Sequence, residues 1–376
     1  MEIIKRTIQK NIENKMFKGK IIIIYGARQV GKTTLIKEIQ KKHNSDSVYF
    51  NCDEPDIREN FTNKTSTELK SFVGNKKIVF LDEAQRVVNI GVTLKLLADN
   101  FPQIQIVATG SSSFDLSNKI IEPLTGRKYE FYVYPFSIQE LKQIYSNLEI
   151  KRLLEKRIIT GMYPEIVQKG EEAEILLKNI TRDYLYKDVL EYQGIKNPEI
   201  LERLLQALAL QIGNEVSYNE LAAIVQVDKK TVASYISILE KAFVIFRLKP
   251  YSKNLRKEIG KLRKIYFFDT GVRNALINNF NPFNLRSDVG MLWENFLISE
   301  RLKRNNNREF SKNIYFWRTY EQQEIDYLEE EKGELSAFEF KWNEKKLKKP
   351  KAFTETYPAS VIKLINKDNF EDFLIK

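Results

Sequence analysis

Gly26-Ala27-Arg28-Gln29-Val30-Gly31-Lys32-Thr33 fits the pattern G-x-x-x-x-G-K-[ST] at every fixed position. Glycines at those positions let backbone N–H groups turn toward phosphate oxygens, and a helix starting there adds its positive end. Lys32 is placed to reach β- and γ-phosphates, and the Thr33 hydroxyl to ligate Mg²⁺. ATP and Mg²⁺ are thus the expected cofactors, with Gly26 through Thr33 and the neighbouring Thr34 lining the nucleotide. Downstream, Ile78-Val79-Phe80-Leu81 carries Asp82-Glu83. An apolar strand that delivers two carboxylates to its end suits Asp82 to hold Mg²⁺ and Glu83 to orient or deprotonate the attacking water. In Ala108-Thr109-Gly110-Ser111-Ser112-Ser113, either Thr109 or Ser111 has the position of a γ-phosphate sensor; a serine-rich turn is the plainer alternative. Arg127, in Leu124-Thr125-Gly126-Arg127, is a candidate third catalytic group beside Lys32 and Glu83. It would supply positive charge to the transition state in its own subunit or across the boundary of a homo-oligomer. A solvated arginine is the alternative.

A second group lies near the other end of the chain. Glu324-Ile325-Asp326-Tyr327-Leu328 and Ala337-Phe338-Glu339-Phe340-Lys341-Trp342 read as paired strands. Glu339 and Lys341 are two residues apart and share one face of a strand. Asp326 on a neighbouring strand, and Glu294 on the preceding helix, complete a candidate nuclease set. The D…E-x-K layout resembles the PD-(D/E)xK nuclease fold, in which carboxylates hold Mg²⁺ and the lysine orients or activates water. That would make Asp326 and Glu339 a second metal site. A surface ion pair on a hairpin and a binding-only relative of the fold are the alternatives. The single histidine, His43, and single cysteine, Cys52, exclude Cys/His zinc sites, Ser-His-Asp triads and internal disulfides. Hydrolysis in this chain would rest on carboxylates, lysines and hard cations.

A third group points to polyanions. Ser217-Tyr218-Asn219-Glu220 has the form of a capping box. A turn at Val227-Asp228 leads into a second helix from Lys229. Leu221, Ala222, Val232, Ile236 and Leu239 have the spacing of a small three-helix core. Two strands, Val244–Leu248 and Lys264–Phe268, then resemble a wing, with the basic run from Lys253 to Lys264 as its loop. In a winged helix, Lys229, Lys230, Thr231 and Ser234 would face the major groove of duplex DNA while wing lysines meet phosphate. The net charge is +11, and residues 241–273 hold ten Lys/Arg against two Asp/Glu. Such charge favours DNA without selecting a sequence, and a winged helix that grips protein is the competing reading.

Positioning these groups requires an α/β fold. The first third alternates strand and helix signals, with strands at 20–25, 47–51, 77–81, 103–108 and 129–133 and a helix over 32–42. From 138 to 212 the spacing is helical. The last third runs as helix 289–305 and strands 314–318, 324–329 and 335–342. At 43% apolar residues the chain builds real cores, and no apolar run approaches bilayer length. It is expected to be cytoplasmic, with no membrane contact.

GARQVGKTT, IVFLDEAQ, ATGSSSF, LTGR, YPFSIQEL and GMYPE together resemble the prokaryotic AAA+ ATPases that carry a C-terminal DUF4143 domain. The resemblance spans nearly the whole chain. It implies a P-loop AAA+ parallel sheet with a helical lid, followed by the winged helix and a small α/β nuclease-like domain. The corresponding domains are 1–137, 138–212, 213–275 and 285–376. The function expected is a Mg²⁺-dependent ATP hydrolase associated with DNA. An ATP-driven switch or assembly factor that grips protein, and a defence or toxin-like effector, are the other classes.

Overall fold

The computed structural model describes residues 3–110, 123–170, 172–190, 197–252, 263–344, 346–347 and 349–375, with side chains of the helix ending at Leu190 described through Arg182. The chain divides into two compact units, Met1–Pro135 with Lys241–Phe243, and Phe136–Glu240 with Val244–Lys376. Among the described residues, no helix is long and apolar enough to cross a membrane.

The first unit is built on β1 (Ile21–Tyr25), β2 (Ser47–Asn51), β3 (Ile78–Asp82), β4 (Gln105–Gly110) and β5 (Lys128–Tyr132). They lie in the order β2-β3-β4-β1-β5, and every pairing is parallel. Strands covered on both faces read as continuous apolar runs. All five residues of β1 and of β3 are accordingly buried. The helix Lys32–Lys41 follows β1. Between β2 and β3 run two helices that the apolar pattern does not announce, Pro55–Phe61 and Ser66–Val73. Their marks are local: a proline in the first turn, and a capping box between Thr65 and Glu68. The strand order sets the carboxyl ends of β1, β4 and β3 side by side, the edge at which open α/β sheets bind ligands.

The second unit opens with the helices Ile138–Leu141, Asn147–Thr160, Pro164–Gln168, Ala173–Leu190 and Pro198–Leu210. These occupy the stretch expected as a lid, 138–212, and they cluster with the second unit. There follow β6 (Glu215–Val216), the helices Tyr218–Val225 and Lys229–Lys241, β7 (Ile245–Pro250) and β8 (Arg263–Phe267). After the helices Thr270–Leu276 and Val289–Asn307 come β9 (Asn313–Arg318), β10 (Glu324–Glu331), β11 (Glu334–Phe340) and β12 (Val361–Ile365). One sheet holds them all, in the order β12-β11-β10-β9-β7-β8-β6. The join is β7, antiparallel to β8 on one side and parallel to β9 on the other through Lys249↔Tyr315 and Pro250↔Phe316. The break expected between 275 and 285 therefore falls inside a continuous sheet. Trp317, Ile325, Leu328, Ala337 and Phe353 form a core cluster beneath it.

The helix Val289–Asn307 is buried on most sides, charged residues included. Arg301 meets Glu329 two-pronged, Nε to Oε1 at 2.7 Å and Nη2 to Oε2 at 2.8 Å, and Asn305 donates to the same carboxylate at 3.0 Å. Burial works to raise the Glu329 pKa, but the Arg301 bonds outweigh it and hold the carboxyl down at about 2. The stabilisation is present above the ordinary carboxyl range and is lost as pH falls toward 2. Glu329→Gln leaves Arg301 buried without its counter-charge and should cost about 3–5 kcal/mol, read as a lower urea midpoint at pH 7.

Candidate active site and the C-terminal carboxylate cluster

The phosphate loop needs its glycines for stated reasons. A Cβ at position 26 would lie 2.2 Å from the carbonyl oxygen of Val133, and Gly31 sits at φ +93°. Ala27 and Val30 are buried and anchor the turn, while Gln29 and Thr34 face solvent and Arg28 is half-buried. Lys32, 4% exposed, folds its ammonium back over the loop and donates to the carbonyls of Gly26 at 2.9 Å and Ala27 at 2.8 Å.

Asp82 ends β3 as expected and is the hub of the site. The Thr33 hydroxyl donates to its Oδ2 at 2.6 Å, the Tyr49 phenol to the same oxygen at 2.8 Å, and the Thr109 hydroxyl to Oδ1. Thr109, on β4 between the loop strand and β3, also accepts from the backbone N–H of Glu83 at 3.1 Å. Glu83 adopts the left-handed conformation at φ +53°, and Gln85 Nε2 donates to its Oε2 at 2.5 Å. Burial, and then the hydrogen bond to Asp82, raises the Tyr49 pKa; burial pushes the Cys52 thiol up to about 12. Both groups are neutral at pH 7, so Tyr49 is a lasting donor. A hydroxyl and a carboxylate already in contact are hard oxygen donors that fit Mg²⁺. Tyr49 and Gln85 escaped the sequence reading. Tyr49 shares a strand face with Asn51, whose register partner is Asp82.

Two expectations need restating. Ser111 lies outside the described residues. Arg127 does not reach the phosphate loop of its own chain. It immediately precedes β5, its carbonyl accepts from the Ile21 N–H, and Ile21 pairs with Lys128. In a parallel pair this is the amino end of the strands, and the loop leaves β1 at the other end. The Arg127 guanidinium instead bonds Asp99 at 2.7 Å.

In the second unit, β10 and β11 are antiparallel with Tyr327 opposite Phe338, so one step further Asp326 stands opposite Glu339. Asp326 accepts from the Phe340 N–H at 2.7 Å, and Lys341 lies 3.8 Å from Glu339. Burial, then the charge of Asp326, pushes the Glu339 pKa up to about 9. Burial also raises Glu294, to about 7, against the pull of Lys264. The four expected residues thus share one electrostatic neighbourhood. Three others belong to it that sequence reasoning missed: Lys264, Tyr266 and Glu324. Lys264, 2% exposed, pairs with Glu294 at 3.0 Å and with Glu324, and the Tyr266 hydroxyl donates to Glu294. Burial works to lower the Lys264 pKa, but Glu294, Glu324 and Asp326 turn the shift upward, so it is charged at pH 7. The available signals were period-2 spacings: Lys264 with Tyr266, and Glu324 with Asp326. Among the described residues, no three His, Cys, Asp or Glu side chains come together as a metal-ligand group. Asp326 and Glu339, expected as a second Mg²⁺ site, stand opposite one another, while the Lys264 ammonium is bound to their neighbours Glu294 and Glu324.

On the helix Lys229–Lys241, Lys229, Lys230 and Ser234 are exposed. Thr231 is occupied: its hydroxyl donates to Asp228 Oδ2 at 2.6 Å, and its N–H to Oδ1 at 3.0 Å, capping the helix. Leu221, Val232, Ile236 and Leu239 are buried, and Ala222 is partly so. The basic run 253–262 lies outside the described residues.

Residues 18–142 match the AAA domain family, residues 151–282 a domain of unknown function (DUF8612), and residues 289–371 another (DUF4143). Two uncharacterized proteins of Methanocaldococcus jannaschii are similar, one 28% identical across 87% of this chain and 76% of that protein, the other 29% identical across 73% and 66%. An uncharacterized protein of Mycobacterium tuberculosis is 24% identical across 91% of this chain and 74% of its own length. Among solved structures, the Thermotoga maritima RuvB Holliday junction branch migration motor is 18% identical with a TM-score of 0.31, across 65% of this chain and 88% of that one.

Proposed function

Because the chain joins an AAA domain to a C-terminal DUF4143 domain, we propose that it is a Mg²⁺-dependent ATPase that works on duplex DNA. The observation that carries the ATPase reading is the meeting of Thr33, Thr109 and Asp82 at the adjoining carboxyl ends of three parallel strands. In this reading, the loop N–H groups and Lys32 bind the triphosphate. Thr33 and Asp82 would hold Mg²⁺, which supplies positive charge at the β- and γ-phosphates. Tyr49 fixes the carboxylate of Asp82. Thr109 ties Asp82 to the Glu83 backbone, which sets the position of the group that orients water. Gln85 holds Glu83 by its carboxylate until the nucleotide competes for it.

The DNA reading rests on the order β6, helix, helix, β7, β8 with β8 between its two partners, which supports a winged helix. Lys229, Lys230 and Ser234 are the side chains it would present; Thr231 serves as cap. Reversing Lys229 and Lys230 to Glu should weaken duplex binding by more than about tenfold at roughly 100 mM salt, because each lost phosphate contact also forfeits counterion release. Fluorescence anisotropy across a salt series measures both the affinity and the slope. Unchanged affinity in a folded variant assigns the module to protein instead. The companion measurement is ATP turnover with and without duplex. No turnover with Mg²⁺ in either case sinks the ATPase reading. For the terminal segment, Asp326 opposite Glu339 with Lys341 two residues on supports a PD-(D/E)xK-like fold. No hydrolytic step is assigned to it.

A further inference from the structure

Six ionisable groups crowd the sheet where β8, β10, β11 and the helix Val289–Asn307 meet: Glu294, Glu324, Asp326 and Glu339 against Lys264 and Lys341. Four carboxylates in one place, Asp326 and Glu339 buried and Glu294 and Glu324 partly so, repel one another unless something cationic stands among them. From these contacts we infer that Lys264 is the resident cation of this cluster, its ammonium filling the place between Glu294 and Glu324 that a divalent ion would otherwise take.

Three observations carry this. The ammonium is bound by oxygens of both carboxylates and lies 5.5 Å from the centre of the Phe316 ring, so it is enclosed by anions and a π face. Its backbone is pinned on both sides, opposite Leu248 of β7 and Glu215 of β6, so the side chain enters the cluster from a fixed strand. Glu339, 8% exposed, keeps a buried oxygen, Oε1, with no hydrogen-bond partner, and that oxygen is the remaining place for a proton. A lysine suits the task because its charge is compact and moves on a long stem. A metal ion entering between Glu294 and Glu324 would meet the ammonium at contact distance. The cluster is thus closed to divalent ions while Lys264 stays, and the C-terminal sheet binds or braces without metal-assisted cleavage. This inference is independent of the ATPase and DNA readings.

The test is Mn²⁺ binding followed by electron paramagnetic resonance on the full chain without nucleotide. Asp82→Asn is included throughout to remove ligation at the ATP site. With Lys264 intact, no site tighter than about 1 mM is expected. Lys264→Met should create one site at least about tenfold tighter, and adding Glu324→Gln should abolish it. Because Lys264→Met leaves buried anions uncompensated, Lys264→Met with Glu294→Gln serves as a second, less charged variant. A gain in either one supports the inference. Failure of both to bind, or a Mn²⁺ site in the Lys264 protein that Glu339→Gln removes, overturns it.

Discussion

Lys32→Ala is expected to abolish ATP binding at practical concentrations, weakening it by about a hundredfold or more. The argument starts from charge. The triphosphate is the most anionic part of the nucleotide, and Lys32 is the one lysine of the motif, buried at the helix start and aimed across the loop. Hydrogen bonds to charged groups contribute roughly 1.5–3 kcal/mol each, and Lys32 has at least two phosphate oxygens to serve. The present bonds to Gly26 and Ala27 show that the ammonium already spans the turn where phosphate oxygens would sit. Binding should follow by exchange of those carbonyls for the stronger anionic acceptors. Calorimetric titration with Mg·ATP reads the loss directly. An affinity within about threefold of the parent, in a protein with an unchanged melting temperature, would remove Lys32 from the site.

Glu83→Gln should separate binding from turnover. Glutamine keeps the length and the acceptor that Gln85 now holds, but it has neither the charge nor the basicity to orient and deprotonate water. Nucleotide affinity should stay within about twofold, while single-turnover hydrolysis falls by about 10²–10⁴. The substitution leaves the backbone bond from Glu83 to Thr109 in place, so the loss is not one of architecture. A variant that turns over at the parental rate would show that another group positions the water, and Asp82 with its three hydroxyl donors would be the next to examine.

The parts of this molecule that were legible in the sequence are those in which local order and spatial order coincide. The phosphate loop is a single turn between one strand and one helix, and its requirements for Gly26, Gly31, Lys32 and Thr33 are met within eight residues. β2 occupies Ser47–Asn51, the same residues its apolar and aromatic run marks. The D…E-x-K spacing reported a true neighbourhood because antiparallel pairing of adjacent strands keeps it local. Lys264 was not legible for the opposite reason. It sits in a basic run, where a lysine reads as a solvated wing residue, and only the packing of the helix Val289–Asn307 against β8 brings it to Glu294, 30 residues away. The expectation of Arg127 beside its own phosphate loop misled through chain order: Arg127 follows β4 in sequence, but the chain returns to the amino edge of the sheet to start another parallel strand. β12 was missed because its burial alternates weakly and its partner, β11, lies beyond an intervening helix.

The double pairing of β7 limits how this protein can be divided. A fragment ending after the helix Thr270–Leu276 would strip β9 from Lys249 and Pro250 and lose the bond from the Tyr251 N–H to the Phe316 carbonyl at 2.6 Å. What remains is a strand with an open hydrogen-bonding edge, beside Tyr251 stripped of its contacts with Tyr315 and Tyr357. Open apolar edges recruit other chains. Such a fragment should self-associate on isolation, and a usable piece with the helix Lys229–Lys241 would have to carry β9 and its neighbours along.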